Sequence, residues 1–192
     1  MKTITIEVPD GTRAEWNKDG LLALVKNEEQ DNRPVTERIK TFEDACREIG
    51  GTDNALVNQY LFVANGPEMD GTGKDLLAYL KLRIIAAALN EGWEPQFTED
   101  EYRWYPWFYL YTEEELKEKS EQWKKEHALV LWGGHANNGA YCGLASAYSN
   151  NAFSDSSASF GARLAVKSEE LAVYFGKQFS ELWADFYVTT KR

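Results

Sequence analysis

The chain has 192 residues and a formal charge of −10, with 31 acidic side chains against 21 Lys and Arg. Roughly 70% of the unfolded surface is removed from water when a chain of this length folds, so a core forms without metal or disulfide staples, and hydrophobic residues at 43% supply it. The acidic excess disfavours nucleic acid as a partner. The longest mostly apolar run, Leu76 to Leu89, is interrupted by Lys81 and Arg83, well short of the ~20 residues that a membrane span needs.

At the N-terminus, Met1-Lys2-Thr3-Ile4-Thr5 has no apolar signal stretch, so export by that route is not expected. Thr3 to Val8 alternates as a half-buried strand, and Pro9-Asp10-Gly11 ends it as a turn. Ala14 to Trp16 and Leu21 to Val25 flank Asn17-Lys18-Asp19-Gly20, a hairpin pattern whose Asp-Gly pair supplies positive φ angles. Lys26 to Pro34 is polar and is expected to be a loop. Thr41 then opens a helix with its hydroxyl as cap and with Glu43 and Asp44 at the positive dipole end; Gly50-Gly51 stop it.

A short helix is expected over Asn54 to Leu61, then a loop through Asn65-Gly66-Pro67 and Asp70-Gly71-Thr72-Gly73. Lys74 to Asn90 carries apolar residues around most of its circumference in the C-terminal half, which predicts a central, buried helix ended by Gly92. Thr112 with Glu115 forms a capping-box pattern that introduces a polar helix to about Glu126. Ala128 to Trp132 has the apolar run of a short buried strand. From Gly133 to Ser159 small residues alternate with aromatics, which predicts short strands and tight loops. Phe160 to Val166 is expected as a strand with Leu164 and Val166 on one face, and Ser168 caps a final amphipathic helix to about Phe186. Together these predict one α+β domain over residues 1–192, with mainly antiparallel strands packed on a buried central helix and a C-terminal amphipathic helix. The N-terminal strand and hairpin, residues 1–34, are a candidate separate subdomain.

The densest local feature lies between Trp93 and Tyr111, where nineteen residues hold nine aromatics. Such rings stack on sugars, bases or partner side chains, but consecutive strand residues point to opposite faces, so only about half can line one surface while the rest enter the core. Trp93, Arg103, Trp104, Tyr105, Trp107 and Tyr109 are the candidate binding residues here. Arg163 joins them, because from His127 onward acidic and basic residues balance at five each and leave room for a small anion site.

Other constellations are weaker. Gly71-Thr72-Gly73-Lys74 resembles the end of a phosphate-binding loop, but Glu68 and Asp75 stand where that pattern needs Gly and Ser or Thr. His135 and Cys142 form a candidate Cys–His pair for nucleophilic catalysis without a spacing that enforces the geometry. Glu99, Asp100 and Glu101 beside the rings have the composition of a glycosidase site, which a charged loop explains equally well. Cys46 and Cys142 lie far apart in apolar contexts and suit reduced core thiols. Paired metal-ligand spacing is lacking, and neither metal nor cofactor is expected.

The blocks Thr41 to Glu48, Leu82 to Trp93, Tyr105-Pro-Trp-Phe108, Phe160-Gly-Ala-Arg-Leu164 and Leu171 to Phe179, in this order, resemble an uncharacterised family of proteins encoded by phages and prophages of gut Bacteroidales. The likeness runs from about Thr41 to the C-terminus. It implies a setting, the infected bacterial cytoplasm or the virion, and brings no established reaction. The Ser/Asn/Ala-rich stretch before Gly161-Ala-Arg163 is also faintly similar to the C-terminal strands of lectin-like phage receptor-binding domains. The function expected is therefore that of a non-enzymatic accessory binding protein acting on a host protein or small ligand. A virion structural or glycan-binding lectin-like component and a Cys–His enzyme are the alternatives.

Overall fold

The computed structural model describes residues 7–10, 12–17, 19–26, 31–66, 73–96, 98, 100–131, 143–153 and 162–187. The chain divides into two compact units, Met1–Arg33 and Pro34–Arg192. It is an α+β protein with antiparallel sheets.

In the first unit β1 (Thr12–Trp16) pairs antiparallel with β2 (Leu22–Lys26). Asn17 accepts through Oδ1 from the amides of Asp19 and Leu21, and Gly20 takes φ 72°, which closes the hairpin. The register puts Ala14 opposite Leu24 and Trp16 opposite Leu22, on one face. Trp16 is 73% exposed. The strand expected over Thr3 to Val8 lies mostly outside the described residues; Glu7 to Pro9 have no regular structure.

The second unit opens with α1 (Val35–Arg38), a turn of helix between the loop expected to Pro34 and the helix expected from Thr41. Thr41 caps α2 (Phe42–Glu48) in a full capping box with Asp44, and Gly50 and Gly51, at φ 97° and 56°, end it. Asn54 caps α3 (Ala55–Ala64). Then comes α4 (Lys74–Asn90), whose Leu82, Ile84, Ile85, Ala86, Ala88 and Leu89 are buried. Each fully buried Leu or Ile contributes about 1.5–3 kcal/mol.

Next, β3 (Tyr102–Tyr111) runs straight through the aromatic segment. The polar helix expected to about Glu126 is two helices, α5 (Glu113–Lys117) and α6 (Glu121–Glu126), because Ser120 leaves helical geometry to cap the second. Of the strand expected over Ala128 to Trp132, Val130–Leu131 pairs as β4, Ala128 turns at φ 47°, and Trp132 lies outside the described residues. Within the stretch Gly133 to Ser159, where short strands and tight loops are expected, β5 (Gly143–Phe153) is one strand of 11 residues and the rest lies outside the described residues; the sheet order is β3-β5-β4. Of the strand expected over Phe160 to Val166, Phe160 and Gly161 lie outside the described residues, Ala162–Leu164 form a 3₁₀ turn, and Val166 makes a single bridge to Trp104. Ser168 caps α7 (Glu169–Gln178), and a break at Phe179 separates it from α8 (Ser180–Tyr187).

Helix α7 covers β3 and β5, α8 touches β5 and β4, and α4 packs on α8, α2 and α3. The core joins these layers through Phe175, Phe179, Trp183, Leu164 and Val166. Asn90, buried at the end of α4, is satisfied on both sides of its amide: Nδ2 donates to the Ala165 carbonyl at 2.9 Å and Oδ1 accepts from the Lys167 amide at 3.1 Å. Tyr174 Oη donates to the Ile39 carbonyl and Gln178 Nε2 to that of Lys40, which ties α7 to the turn between α1 and α2. Burial pushes the Tyr174 phenol up to about 12, so it remains a donor across the neutral range.

Candidate functional site

Alternation along β3 sorts the aromatic segment into two faces. Trp104, Pro106 and Phe108 point toward the helices. Trp104 packs on the core; Pro106 is fully buried; the Phe108 ring lies 5.5 Å from that of Trp183 and 5.9 Å from Tyr187. Trp104 is thereby turned toward the core and partly buried against it. The opposite face carries Arg103, Tyr105, Trp107, Tyr109 and Tyr111. Arg103 is 4% exposed, so its guanidinium is not presented to solvent, while Tyr105 and Trp107 are half-buried. Exposure rises along the strand to 49% at Tyr109.

At this open end the strand meets α5 and α6. The Thr112 hydroxyl accepts from the Glu115 amide, and Glu115 Oε2 accepts from the Thr112 amide at 2.8 Å, so the chain turns sharply after Tyr111. Ser120 caps α6 by accepting from the Trp123 amide at 3.1 Å. Trp123 and His127, four residues apart on one helical face, stack with centroids 4.2 Å apart and planes at 17°. The Tyr111 ring meets Trp123 edge-on at 5.4 Å, and Tyr109 meets Tyr111 edge-on at 6.4 Å. Lys119 Nζ stands 4.9 Å from the Trp123 centroid and 5.6 Å from that of Tyr111, a cation held by two ring faces.

His127 Nδ1 lies 2.9 Å from the Trp123 carbonyl. A carbonyl only accepts, so Nδ1 is the donor in this contact. Burial, then Tyr109 and Glu115, push the Tyr111 phenol up, so it stays a donor at neutral pH. Tyr109, Tyr111, Trp123, Lys119 and His127 thus combine flat apolar rings, phenol donors, a cation and an imidazole at one place. Tyr111, Trp123, Lys119 and His127 lie outside the sequence-based binding set. For Trp123 and His127 the signal was the Trp-x-x-x-His spacing behind the Ser120 cap.

The remaining candidates lie apart. Trp93 Nε1 donates to Glu101 Oε1 at 3.1 Å, and Glu101 Oε2 accepts from the Gln96 amide at 2.5 Å, so both residues brace the loop before β3. Arg163 is exposed in the middle of the 3₁₀ turn and makes no ion pair among the described residues. Glu99, His135 and Cys142 lie outside the described residues. Among the described residues no group of three or more His, Cys, Asp or Glu is placed to hold a metal, and no helix is long and apolar enough to cross a membrane. Burial, then Glu43, push the half-buried Cys46 thiol up, which disfavours a thiolate nucleophile there. Comparison with family models, curated proteins and solved structures returned no match.

Proposed function

We propose that this chain is a non-enzymatic accessory binding protein of a phage or prophage, acting on a host protein or small ligand through the Tyr109–Tyr111–Trp123 rings. The observation that carries the reading is the edge-to-face series of these rings at the surface, with Lys119 and His127 set against it. Aromatic side chains of this kind supply large contact area at low entropic cost and dominate binding energetics. The phage setting rests on the sequence resemblance.

The test is affinity capture from host lysate, quantified by mass spectrometry, with the native chain and a Tyr109→Ala/Trp123→Ala variant matched for fold by circular dichroism. The reading expects specific capture that falls at least about tenfold in the variant, as the loss of two ring contacts implies. Equal capture by both chains overturns it.

A further inference from the structure

Among the described residues, the outer edge of β3 is covered in one half and uncovered in the other. Trp104 exchanges both backbone hydrogen bonds with Val166, at 3.1 and 2.8 Å, on the side of the strand away from β5. Backbone groups alternate in direction along a strand, so Pro106, Phe108 and Leu110 share that outward direction. The pairing on the other side agrees. Ser146, opposite Phe108, donates its amide away from β3 to the His127 carbonyl at 2.9 Å, so the inward bonds fall to Tyr109 with Ala145 and Tyr111 with Gly143. Proteins protect exposed edges with prolines, charges or covering segments. Here Val166 covers the Trp104 rung, and Pro106 offers no amide. Neither device continues beyond: Phe108 and Leu110 turn N–H and C=O outward with no neighbouring strand among the described residues, and Leu110 is 44% exposed.

We infer that this edge, from Phe108 to Leu110, receives an extended peptide segment of the partner as an added strand, apolar at alternate positions and basic where it passes the end of β3. The mode is that of strand addition, in which main-chain bonds give affinity and alternate side chains give selectivity. Val166 has already set the first rung on the same edge, and the peptide continues the ladder past Pro106. The charge of the partner follows from what stands at the open end. The stretch Glu113 to Lys119, directly after β3, holds four carboxylates against Lys117 and Lys119, with Glu113 paired to Lys117 at 3.2 Å and Glu114 exposed, on a chain of net charge −10. A second copy of this chain brings the same carboxylates to the junction and is disfavoured by repulsion.

This inference rests on the binding-protein reading and names the kind of partner. Its test uses the full chain and a synthetic octapeptide of alternating Val and Thr with Lys at both ends. By amide exchange in the free protein, Phe108 and Leu110 are expected to exchange at least about tenfold faster than Tyr109 and Tyr111, and the peptide slows them. Leu110→Pro removes an outward N–H and leaves the ladder to β5 intact, so it weakens the peptide about fivefold to tenfold; Leu110→Ala, which keeps the N–H, weakens it less. Should the proline variant misfold, N-methylation of alternate peptide residues removes the same bonds from the other side and has the same expected effect. Replacing the terminal Lys by Glu abolishes binding.

Four results overturn the inference: slow exchange of Phe108 and Leu110 in the free protein, protection that rises with protein concentration and so marks a second copy, no binding at millimolar peptide, or binding indifferent to both the proline and the N-methyl change. Host capture that needs the Tyr109 and Trp123 rings but ignores Leu110→Pro leaves the binding reading standing and removes the edge.

Discussion

Glu91 occupies the left-handed region at the end of α4, with φ 49°, a conformation that side chains other than glycine adopt at a cost. Its carboxylate accepts from Lys167 Nζ at 2.7 Å and from Arg38, whose other nitrogen donates to Glu48. The Lys167 hydrogen bond first, then the Lys167 and Arg38 charges, hold the Glu91 carboxyl below its ordinary value. A carboxyl depressed in the folded state adds stability that is complete above its unfolded pKa, about 4.3, and is lost as pH falls through the lower folded value. Denaturant melts between pH 7 and pH 3 should therefore show a steeper acid loss for the native chain than for Glu91→Gln. The carboxyls of Asp44, held low first by the Lys40 amide and then by the Thr41 hydroxyl, and of Glu115, held low first by the Thr112 amide, contribute stability that is lost in the same direction.

Between elements, α7 approaches the sheet closely at Gly176. A Cβ built on Gly176 would meet Pro106 Cβ at 2.9 Å, Ser146 Oγ at 3.4 Å and Phe108 Cζ at 3.5 Å. The proline ring cannot rotate aside, so Gly176→Ala must push helix from sheet and should destabilise by about 1–3 kcal/mol in urea melts, despite the better helix propensity of alanine. Helix starts were the most legible elements: Thr41, Asn54, Thr112 and Ser168 all cap where their side chains suggest. The internal stops were less so. Ser120 breaks the polar helix by capping a new one, and Phe179 interrupts the last helix while its ring stays in the core. Strand β5 was hidden because Gly, Ser, Ala and Asn have low strand preference; its eleven residues are recruited by pairing with β3. The candidate site was legible as a density of rings. Which rings face out depends on strand phase against α7, a tertiary fact that ring count does not carry.

For the molecule as a whole, the two units differ in how they are held. An isolated two-stranded hairpin is marginal in water, and β1–β2 exposes Trp16, Leu22 and Leu24. The second unit has a continuous core from Val35 to Trp183. Native-state hydrogen exchange should therefore find β1 and β2 amides opening at free energies well below those of α4 and α7, which exchange only through global unfolding. Equal protection across both units would refute this.

The pairing of β3 with β5 has a consequence for synthesis. A chain leaving the ribosome at about 5–20 residues per second completes β3 at Tyr111, yet its partner strand ends only at Phe153 and its helical cover, α7, only at Gln178. For several seconds the most aromatic strand of the protein is outside the ribosome with neither sheet nor helix to receive it. Nascent β3 is thus the segment on which holding chaperones would act, and its capture should cease once α7 has emerged.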